Sequence, residues 1–420
     1  MLILMDFAGT VISSCKKELK NMDNLDRLIL RSKTLVLFKG LHNNNVFKSF
    51  LCAADCCING EKQQAVEKYC EFISLLYQHT DDLTQLILKL VLEDENLFIL
   101  KKGENLPTAG VLEECLANEL QTLQELSQIP CTELTARLDT DIFLPEYKTH
   151  KVDFSQVYAD RVHHIGEVGY GIYSRYNVFV MADGKIKPVE YPDPIRLSQL
   201  SNYQSEREEV IKNTLALLSG KPANNVLLYG DCGTGKSSTV KAIANEYACK
   251  GLRLIELKKK QLHEIPSIVE TVSKNPLKFI IFIDDLSFTE DDNDFAALKA
   301  ILEGSVSSTA SNLAIYATSN RRHLVRETFS ARQGDEIHFK DTVQELLSLS
   351  DRFGLTVIFQ RPDKKTFLNV VSDIAKQYEL DVPQEELFRQ AEAYALSRGG
   401  RSPRVAKQFV EYMKGCGDNA

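Results

Sequence analysis

The stretch that decides the fold reads Gly230-Asp231-Cys232-Gly233-Thr234-Gly235-Lys236-Ser237. An apolar run at residues 226–229 precedes it, and a helix-like pattern follows it. Glycines let a backbone curl until several N–H groups point at one anion, and a lysine at this spacing reaches the β- and γ-oxygens of a triphosphate. The hydroxyl that follows can ligate Mg²⁺. The order of strand, glycine loop and helix therefore predicts a phosphate-binding loop, with nucleotide contacts from Gly230 through Ser238.

Apolar strands alternate with helical patterns on both sides of this loop, from about residue 197 onward. The strands are near-continuous apolar runs, which is typical of parallel strands buried on both faces. We predict an α/β fold: a five-stranded parallel sheet flanked by helices over residues 197–360, followed by a helical lid over residues 361–420. The five predicted strands cover residues 225–229, 252–257, 279–283, 313–318 and 355–359.

Polar residues follow two of these strands. Asp284 and Asp285 end the third strand, and Asn320 ends the fourth. Downstream of a phosphate loop, such acids suit a Mg²⁺-nucleotide enzyme, in which Asp284 and Ser237 would hold the metal and Asp285 would polarise the attacking water. An amide at the tip of the neighbouring strand can hold that water near the γ-phosphate. Two acids at a strand end could instead merely begin a turn.

Two arginines complete the set of candidates. Arg352 stands just before the last strand, where a subunit border is expected, and Arg404 opens the last helix. An ion pair with Asp351 is the alternative for Arg352, and Arg401 is a rival for the role of Arg404.

The order of the phosphate loop, Asp284-Asp285, Asn320, Arg352 and Arg404 resembles the AAA+ ATPases over residues 197–420. Residues 284–288 and 351–357 are especially similar to the initiator and helicase-loader branch. More narrowly, three stretches are similar to a bacterial AAA+-like family catalogued only as a domain of unknown function, from about Gly169 to the end of the chain. These stretches are residues 225–230, 317–324 and 348–355.

This resemblance implies ATP and Mg²⁺ as cofactors and ATP hydrolysis as the reaction. Asp285 stands where many AAA+ members carry glutamate as the catalytic base, which suggests slow turnover. Asn320 would be the sensor-1 residue, and Arg404 would contact the nucleotide from the lid as the sensor-2 arginine. Arg352 would be the finger that reaches the nucleotide of a neighbouring subunit, so a homo-oligomer is expected.

The chain before the hairpin has a different character. In residues 1–130, apolar residues recur at the three- and four-residue spacing of a helix with one buried face, as at Val66, Tyr69, Ile73 and Leu76. This spacing predicts an α-helical N-terminal domain. This domain either packs only on itself or selects a protein partner. Residues 131–196 read as a linker followed by a β-hairpin, whose turn contains Asp183-Gly184.

Composition narrows the function classes. The 420 residues are 44% hydrophobic and 26% charged, as in ordinary globular proteins. Residues 1–196 hold 21 Lys and Arg against 28 Asp and Glu, which accounts for −7 of the net charge of −8. This excess of acidic residues disfavours nonspecific binding of nucleic acid by this half of the chain. Lys258, Lys259 and Lys260 could contact nucleic acid, but a solvated surface explains them equally. Ten cysteines without a secretory signal indicate the cytoplasm, and no membrane span is expected.

Three functions remain in view. The first is an oligomeric AAA+ ATPase that remodels a protein or nucleoprotein partner, with a DNA-associated, helicase-loader-like enzyme as a variant. The second is a slow, ATP-dependent assembly switch or scaffold. The third, a small-molecule kinase or GTPase, would have no use for Asn320, Arg352 and a lid arginine in this order.

Overall fold

We describe the protein from a computed structural model, in which residues 23–286, 298, 301–302, 310–320 and 352–417 are described. These residues fall into two compact units, one that ends at Ile165 and one that begins at Gly166.

Helices fill the first unit, as predicted. An aromatic core holds them together: the rings of Phe50 and Phe72 lie 5.2 Å apart, and those of Phe72 and Tyr147 lie 5.6 Å apart. A 3₁₀ helix, Leu37–Asn43, connects the first two helices. The helices are α1 (Asn24–Ser32), α2 (Asn45–Asn59), α3 (Lys62–Tyr77), α4 (Leu83–Glu93), α5 (Leu97–Gly103), α6 (Gly110–Ser127), α7 (Cys131–Leu138) and α8 (Phe154–His163).

The expected linker over residues 131–196 needs correction. Its first part forms α7 and α8 and belongs to the helical unit, where Leu134, Phe154 and Tyr158 are buried. Pro130 is the N-cap of α7 and not part of a loop. Short helices with one buried face have a polar composition, so the segment resembled a linker when composition alone was considered.

The second unit is built on one twisted sheet. Its strands are β1 (Val178–Ala182), β2 (Lys185–Pro188), β3 (Val226–Gly230), β4 (Leu252–Leu257), β5 (Lys278–Ile283), β6 (Leu313–Ser319) and β7 (Leu355–Phe359). Among the described residues the order is β2-β1-β4-β5-β6-β3-β7. The five predicted parallel strands are confirmed. The hairpin adds two more strands, because β1 pairs in parallel with β4 while β2 pairs antiparallel with β1.

Helices cover both faces of this sheet. The described helices are α9 (Ile165–Val168), α10 (Ile172–Arg175), α11 (Gln204–Leu218), α12 (Lys236–Tyr247), α13 (Ile265–Val272), α14 (Lys364–Gln377), α15 (Gln384–Ser397) and α16 (Pro403–Gly417). Residues of α11 and α12 pack on one face, and residues of α13 pack on the other. The last three helices share a core of their own around Phe367, Ala391 and Phe409, as expected for a helical lid.

The sheet also brings the candidate residues together. Parallel strands end at one edge, and at that edge Tyr229 pairs with Ser319 while Ile283 pairs with Ala317. The phosphate loop, the acidic pair and Asn320 therefore follow the carboxyl ends of neighbouring strands, where α/β sheets bind their ligands. In the described ranges, no helix combines the length and apolarity needed to cross a membrane.

Candidate active site

The glycine loop connects β3 to α12 in a tight curl. Gly230 has a φ of 137°, and a Cβ there would lie 2.0 Å from the carbonyl oxygen of Phe359 on β7. Gly233 has a φ of 76°, and a Cβ there would crowd Ser402 and Arg404 of the lid. Only glycine fits these two positions, because side chains are excluded by both backbone angle and space.

Lys236 is held inside this loop. Its Nζ donates to the carbonyl oxygens of Gly230 (3.0 Å) and Asp231 (2.8 Å), and its side chain is buried. Burial lowers the pKa of Lys236, and the nearby Cys232, Asp231 and the acidic pair oppose that shift. A desolvated ammonium group gains most from an anionic ligand, as the phosphate-loop prediction requires.

Asp284 joins three elements. Its Oδ1 accepts from Ser237 Oγ at 2.6 Å and from Thr318 Oγ1 at 2.6 Å, which links α12, β5 and β6. The backbone N–H of Asp285 also lies 3.1 Å from this oxygen. Ser237 and Asp284, the two predicted metal ligands, are thus in direct contact, and both offer the hard oxygen donors that Mg²⁺ prefers.

Asp285 and Asn320 form the second contact of the site. Asn320 Nδ2 donates to Asp285 Oδ1 at 2.5 Å. Asp285 has a φ of 54°, and its N–H donates to Thr318 Oγ1 at 2.9 Å. A non-glycine residue in this region is strained, and such strain concentrates at functional sites.

The lid reaches the same loop from the other side. The backbone N–H of Arg404 donates to the carbonyl of Gly233 at 3.1 Å, so α16 begins directly against the glycine curl. The rival Arg401 is engaged elsewhere, because its guanidinium forms a two-pronged ion pair with Glu392 at 2.7 and 2.8 Å. Of the two candidate arginines, Arg404 is the one that lines the cavity.

One cavity of about 750 Å³ contains these groups, a size usual for small-molecule sites. Its lining includes residues 193–195 and 199–201, Arg207, and parts of α14 and α16. The predicted residues that line it are Cys232, Gly233, Thr234, Gly235, Lys236, Ser237, Ser238, Asp284, Asp285, Asn320 and Arg404. The donors present fit a Mg²⁺-bound triphosphate: a glycine curl and a buried ammonium group for the phosphates, and a hydroxyl beside a carboxylate for the metal.

Three predicted residues do not line this cavity. Gly230 packs against the backbone of Phe359 on β7 and does not line the cavity. The Asp231 carboxylate accepts a hydrogen bond from the backbone N–H of Arg361 at 3.0 Å and does not line it either. Arg352 is partly exposed and is absent from the cavity lining of its own chain, which is compatible with a role toward another subunit.

Two further residues that line the cavity, Thr318 and Arg207, were not predicted from the sequence. Thr318 was assigned only to a strand, although its hydroxyl bridges Asp284 and Asp285. Arg207 shares the buried stripe of α11 with Val210 and Thr214 and lines the cavity. The spacing of Arg207 from Val210 and Thr214 places this arginine on the buried face of the helix. A charged residue at a buried helical position is unusual, and this signal was present in the sequence.

Part of this chain matches a known protein family. Residues 174–416 match the family described as "Protein of unknown function (DUF815)". The chain belongs to the DUF815 family. The part that matches DUF815 contains all seven described strands of the sheet, the glycine loop and nearly all of α14–α16, whereas helices α1–α9 lie outside it.

Curated relatives of this chain point to the AAA+ P-loop ATPases. The Replication factor C large subunit of Sulfolobus acidocaldarius is 31% identical over 116 residues, which is 26% of this chain and 26% of that protein. The 26S proteasome regulatory subunit 6B homolog of Schizosaccharomyces pombe is 33% identical over 115 residues, or 24% of this chain and 29% of that protein. The DUF815 chain thus spans little more than a quarter of the length of these relatives, and the similarity points to an AAA+ P-loop ATPase of unknown function.

Solved structures include the Thermotoga maritima RuvB Holliday junction branch migration motor. The two sequences are 15% identical. The superposed part covers 52% of the DUF815 chain and 63% of the RuvB chain, with a TM-score of 0.35.

Proposed function

We propose that this protein is an ATPase that binds ATP and Mg²⁺ in the cavity between the sheet edge and the lid. The observation that carries the proposal is the convergence of Lys236, Ser237, Asp284, Asp285 and Arg404 on one cavity. A phosphate cradle, a metal-binding oxygen pair, a carboxylate and a lid cation are the parts that phosphoryl transfer to water requires.

Each side chain has a proposed task. Lys236 and the loop amides bind the β- and γ-phosphates, while Ser237 and Asp284 hold Mg²⁺, which supplies charge neutralisation when bound. Asp285 accepts a proton from the attacking water, and Asn320 orients both that water and the carboxylate to which it donates. Arg404 contacts the phosphates from the lid and couples nucleotide binding to lid position.

We further propose that the enzyme is a homo-oligomer in which Arg352 completes the site of a neighbouring subunit. Arg352 is partly exposed and lies outside the cavity of its own chain. Fingers of this kind contribute about 10³–10⁵ in rate in related chemistry. The helical unit before residue 166, which the DUF815 match does not cover, would select a protein partner for remodelling. The eight cysteines whose side chains the structure describes are all free thiols, which suits work in the cytoplasm.

Phosphate release from ATP, measured across a range of protein concentrations, tests this proposal. Specific activity should rise with concentration, and Arg352→Ala should abolish it while ATP affinity is retained. Activity that is independent of concentration and unchanged in Arg352→Ala would remove the finger assignment. Absence of any ATP binding would remove the proposal itself.

A slow assembly switch is the second candidate. Asp285 favours it, because a carboxylate one methylene shorter than glutamate, already hydrogen-bonded to Asn320 at 2.5 Å, reaches less far toward a water. In that case ATP and ADP would produce different oligomers by native mass measurement, and turnover would be slower than assembly. Identical oligomers with both nucleotides would contradict the switch.

A further inference from the structure

Asp231 lies between the buried lysine of the glycine loop and the joint that connects the sheet to the lid helices α14–α16. Its carbonyl oxygen accepts from Lys236 Nζ at 2.8 Å and from Thr234 Oγ1 at 2.9 Å. Its own N–H donates to the carbonyl of Phe359, the last residue of β7, at 3.2 Å. Its carboxylate accepts from the backbone N–H of Arg361 at 3.0 Å. One residue of the glycine loop therefore contacts both the ammonium group and the joint.

The joint is the segment 360–363, which connects β7 to α14. Its Arg361 also contacts a second connection of the lid, because a Cβ built on Gly400 would lie 2.7 Å from Arg361 Nη1. Gly400 belongs to the segment between α15 and α16. Arg361 thus touches the glycine loop through its backbone and the connection before α16 through its side chain.

That second connection leads back to the glycine loop. Helix α16 begins at Pro403, three residues after Gly400, and the N–H of Arg404 donates to the carbonyl of Gly233 at 3.1 Å. The joint before α14 is therefore bonded to the loop at Asp231, and the start of α16 is bonded to it at Gly233. The loop that forms one wall of the cavity holds the lid at two places.

The contacts at Asp231 depend on where the Lys236 ammonium group donates. This group has three donors and no acceptor, and it donates to the carbonyls of Gly230 and Asp231. Gly230 pairs with Phe359, and the Asp231 N–H bonds to the carbonyl of the same residue. An anion bound at Lys236 competes with these two carbonyls for the same donors. Filling the phosphate site therefore acts on the residues that hold the joint.

We propose that Asp231 is a positioning residue that couples occupancy of the phosphate site to the position of the lid, through its bond to Arg361. This inference rests on the proposed nucleotide site, and it gives Asp231, which does not line the cavity, a task other than contact with the nucleotide. A carboxylate suits the task because it accepts a backbone N–H in a charge-assisted hydrogen bond. A coupling between two sites typically amounts to about 5–150-fold.

Hydrogen exchange of the backbone amides in α14–α16 tests the coupling. It is measured by mass spectrometry on the full chain, without nucleotide and with Mg²⁺ and ATP at concentrations that calorimetry shows to be saturating for each variant. In the unaltered protein, ATP should slow this exchange about fivefold or more. In Asp231→Ala, which lacks the acceptor for the Arg361 N–H, ATP should slow it by about twofold or less.

Two further variants separate the hydrogen bond from other effects of the change. Asp231→Asn loses the charge but keeps an oxygen that can accept from Arg361, so it should retain most of the effect of ATP. Arg361→Ala removes the side chain that lies beside Gly400 and should reduce the effect of ATP as Asp231→Ala does. The Arg361→Ala variant decides the outcome if Asp231→Ala does not fold.

Tyr203→Phe is the matched control. The Tyr203 hydroxyl donates to the carbonyl of Gln360 in the same joint at 2.6 Å, but Tyr203 lies outside the glycine loop and does not line the cavity. Its loss should speed exchange in α14–α16 equally with and without ATP, so the ratio of the two rates should match that of the unaltered protein. A purely structural role of Asp231 predicts the same unchanged ratio for Asp231→Ala.

The proposal fails if the unaltered protein binds ATP without slower exchange in α14–α16, or if Asp231→Ala keeps the full effect of ATP. It also fails if Asp231→Asn loses the effect as completely as Asp231→Ala, because the hydrogen bond to Arg361 is then not the link. If calorimetry detects no ATP binding to the unaltered protein, the proposed function fails and the coupling fails with it.

Discussion

Asn320 donates its side-chain N–H to Asp285 Oδ1 at 2.5 Å, across the ends of two neighbouring strands. The two residues are 35 positions apart in the sequence, and only the pairing of β5 with β6 brings them together. The contact joins a carboxylate suited to accept a proton to an amide suited to orient a water.

Asp285→Asn should separate nucleotide binding from hydrolysis. The amide keeps the shape of the side chain but cannot accept a proton from water, so the rate of phosphate release should fall about 100-fold or more, as is usual for loss of a general base. ATP affinity should change by about twofold or less, because the phosphate contacts come from the loop. Asn320→Ala should act in the same direction. Undiminished turnover in Asp285→Asn would show that another group serves as the base.

Lys236→Ala should abolish ATP and ADP binding. The alanine removes the buried ammonium group that is proposed to bind the phosphates, and charge-assisted hydrogen bonds of this kind are the strong ones. Lys241→Ala is the control on the same helix, since Lys241 pairs with Glu256 at 3.3 Å and does not line the cavity. Binding measured by calorimetry should be lost in the first variant and kept in the second. Normal ATP affinity in Lys236→Ala would contradict the whole site.

Arg404→Ala should weaken ATP binding more than AMP binding, because Arg404 lies at the start of the last helix, against the glycine curl that is proposed to hold the outer phosphates. Loss of one charge-assisted contact corresponds to about a tenfold loss of ATP affinity. Arg401→Ala breaks the ion pair with Glu392 instead and should leave nucleotide affinity unaltered. The reverse pattern, with only Arg401→Ala affecting ATP, would transfer the lid role to Arg401.

Asp94 should make the stability of the helical unit depend on pH. Burial raises its pKa to about 6, against 3.8 for an ordinary Asp; a hydrogen bond from Asn96 opposes the shift, and the charges of Glu95 and Glu119 add to it. The folded chain then holds this proton more tightly than the unfolded chain does. The resulting contribution to the free energy of unfolding is fully present below the ordinary value and is lost as the pH rises toward about 6.

Asn stays uncharged at every pH, as protonated Asp94 does, so Asp94→Asn should raise the free energy of unfolding by about 1 kcal/mol at neutral pH, with little effect at about pH 4. Urea unfolding followed by circular dichroism measures both values. Asp81→Asn is the control of opposite sign, since a hydrogen bond from Lys148 lowers the pKa of the exposed Asp81. If Asp94→Asn raises the free energy of unfolding equally at both pH values, titration of Asp94 is not the cause of the gain.

Much of the site was predictable because each piece is local in the sequence. A glycine curl followed by Lys236 and Ser237, and a buried strand that ends in Asp284 and Asp285, carry their chemistry within a few residues. The hairpin was also recognised from its Asp-Gly turn. Its addition to the sheet was not, since strand pairing between β1 and β4 depends on contacts more than 70 residues apart.

The sequence by itself determined the glycine loop between a strand and a helix, the parallel sheet with acids at a strand end and the helices that follow the sheet, because strand and helix periodicity and loop chemistry are short-range properties. Only the tertiary structure decided that Thr318 bridges the acidic pair, that Arg401 is occupied by Glu392 while Arg404 is not, and that Arg207 faces the cavity. These contacts join side chains from segments that are distant in the sequence. Which of these side chains are buried, and which partners they bind, is set by packing and by the cost of removing polar groups from water.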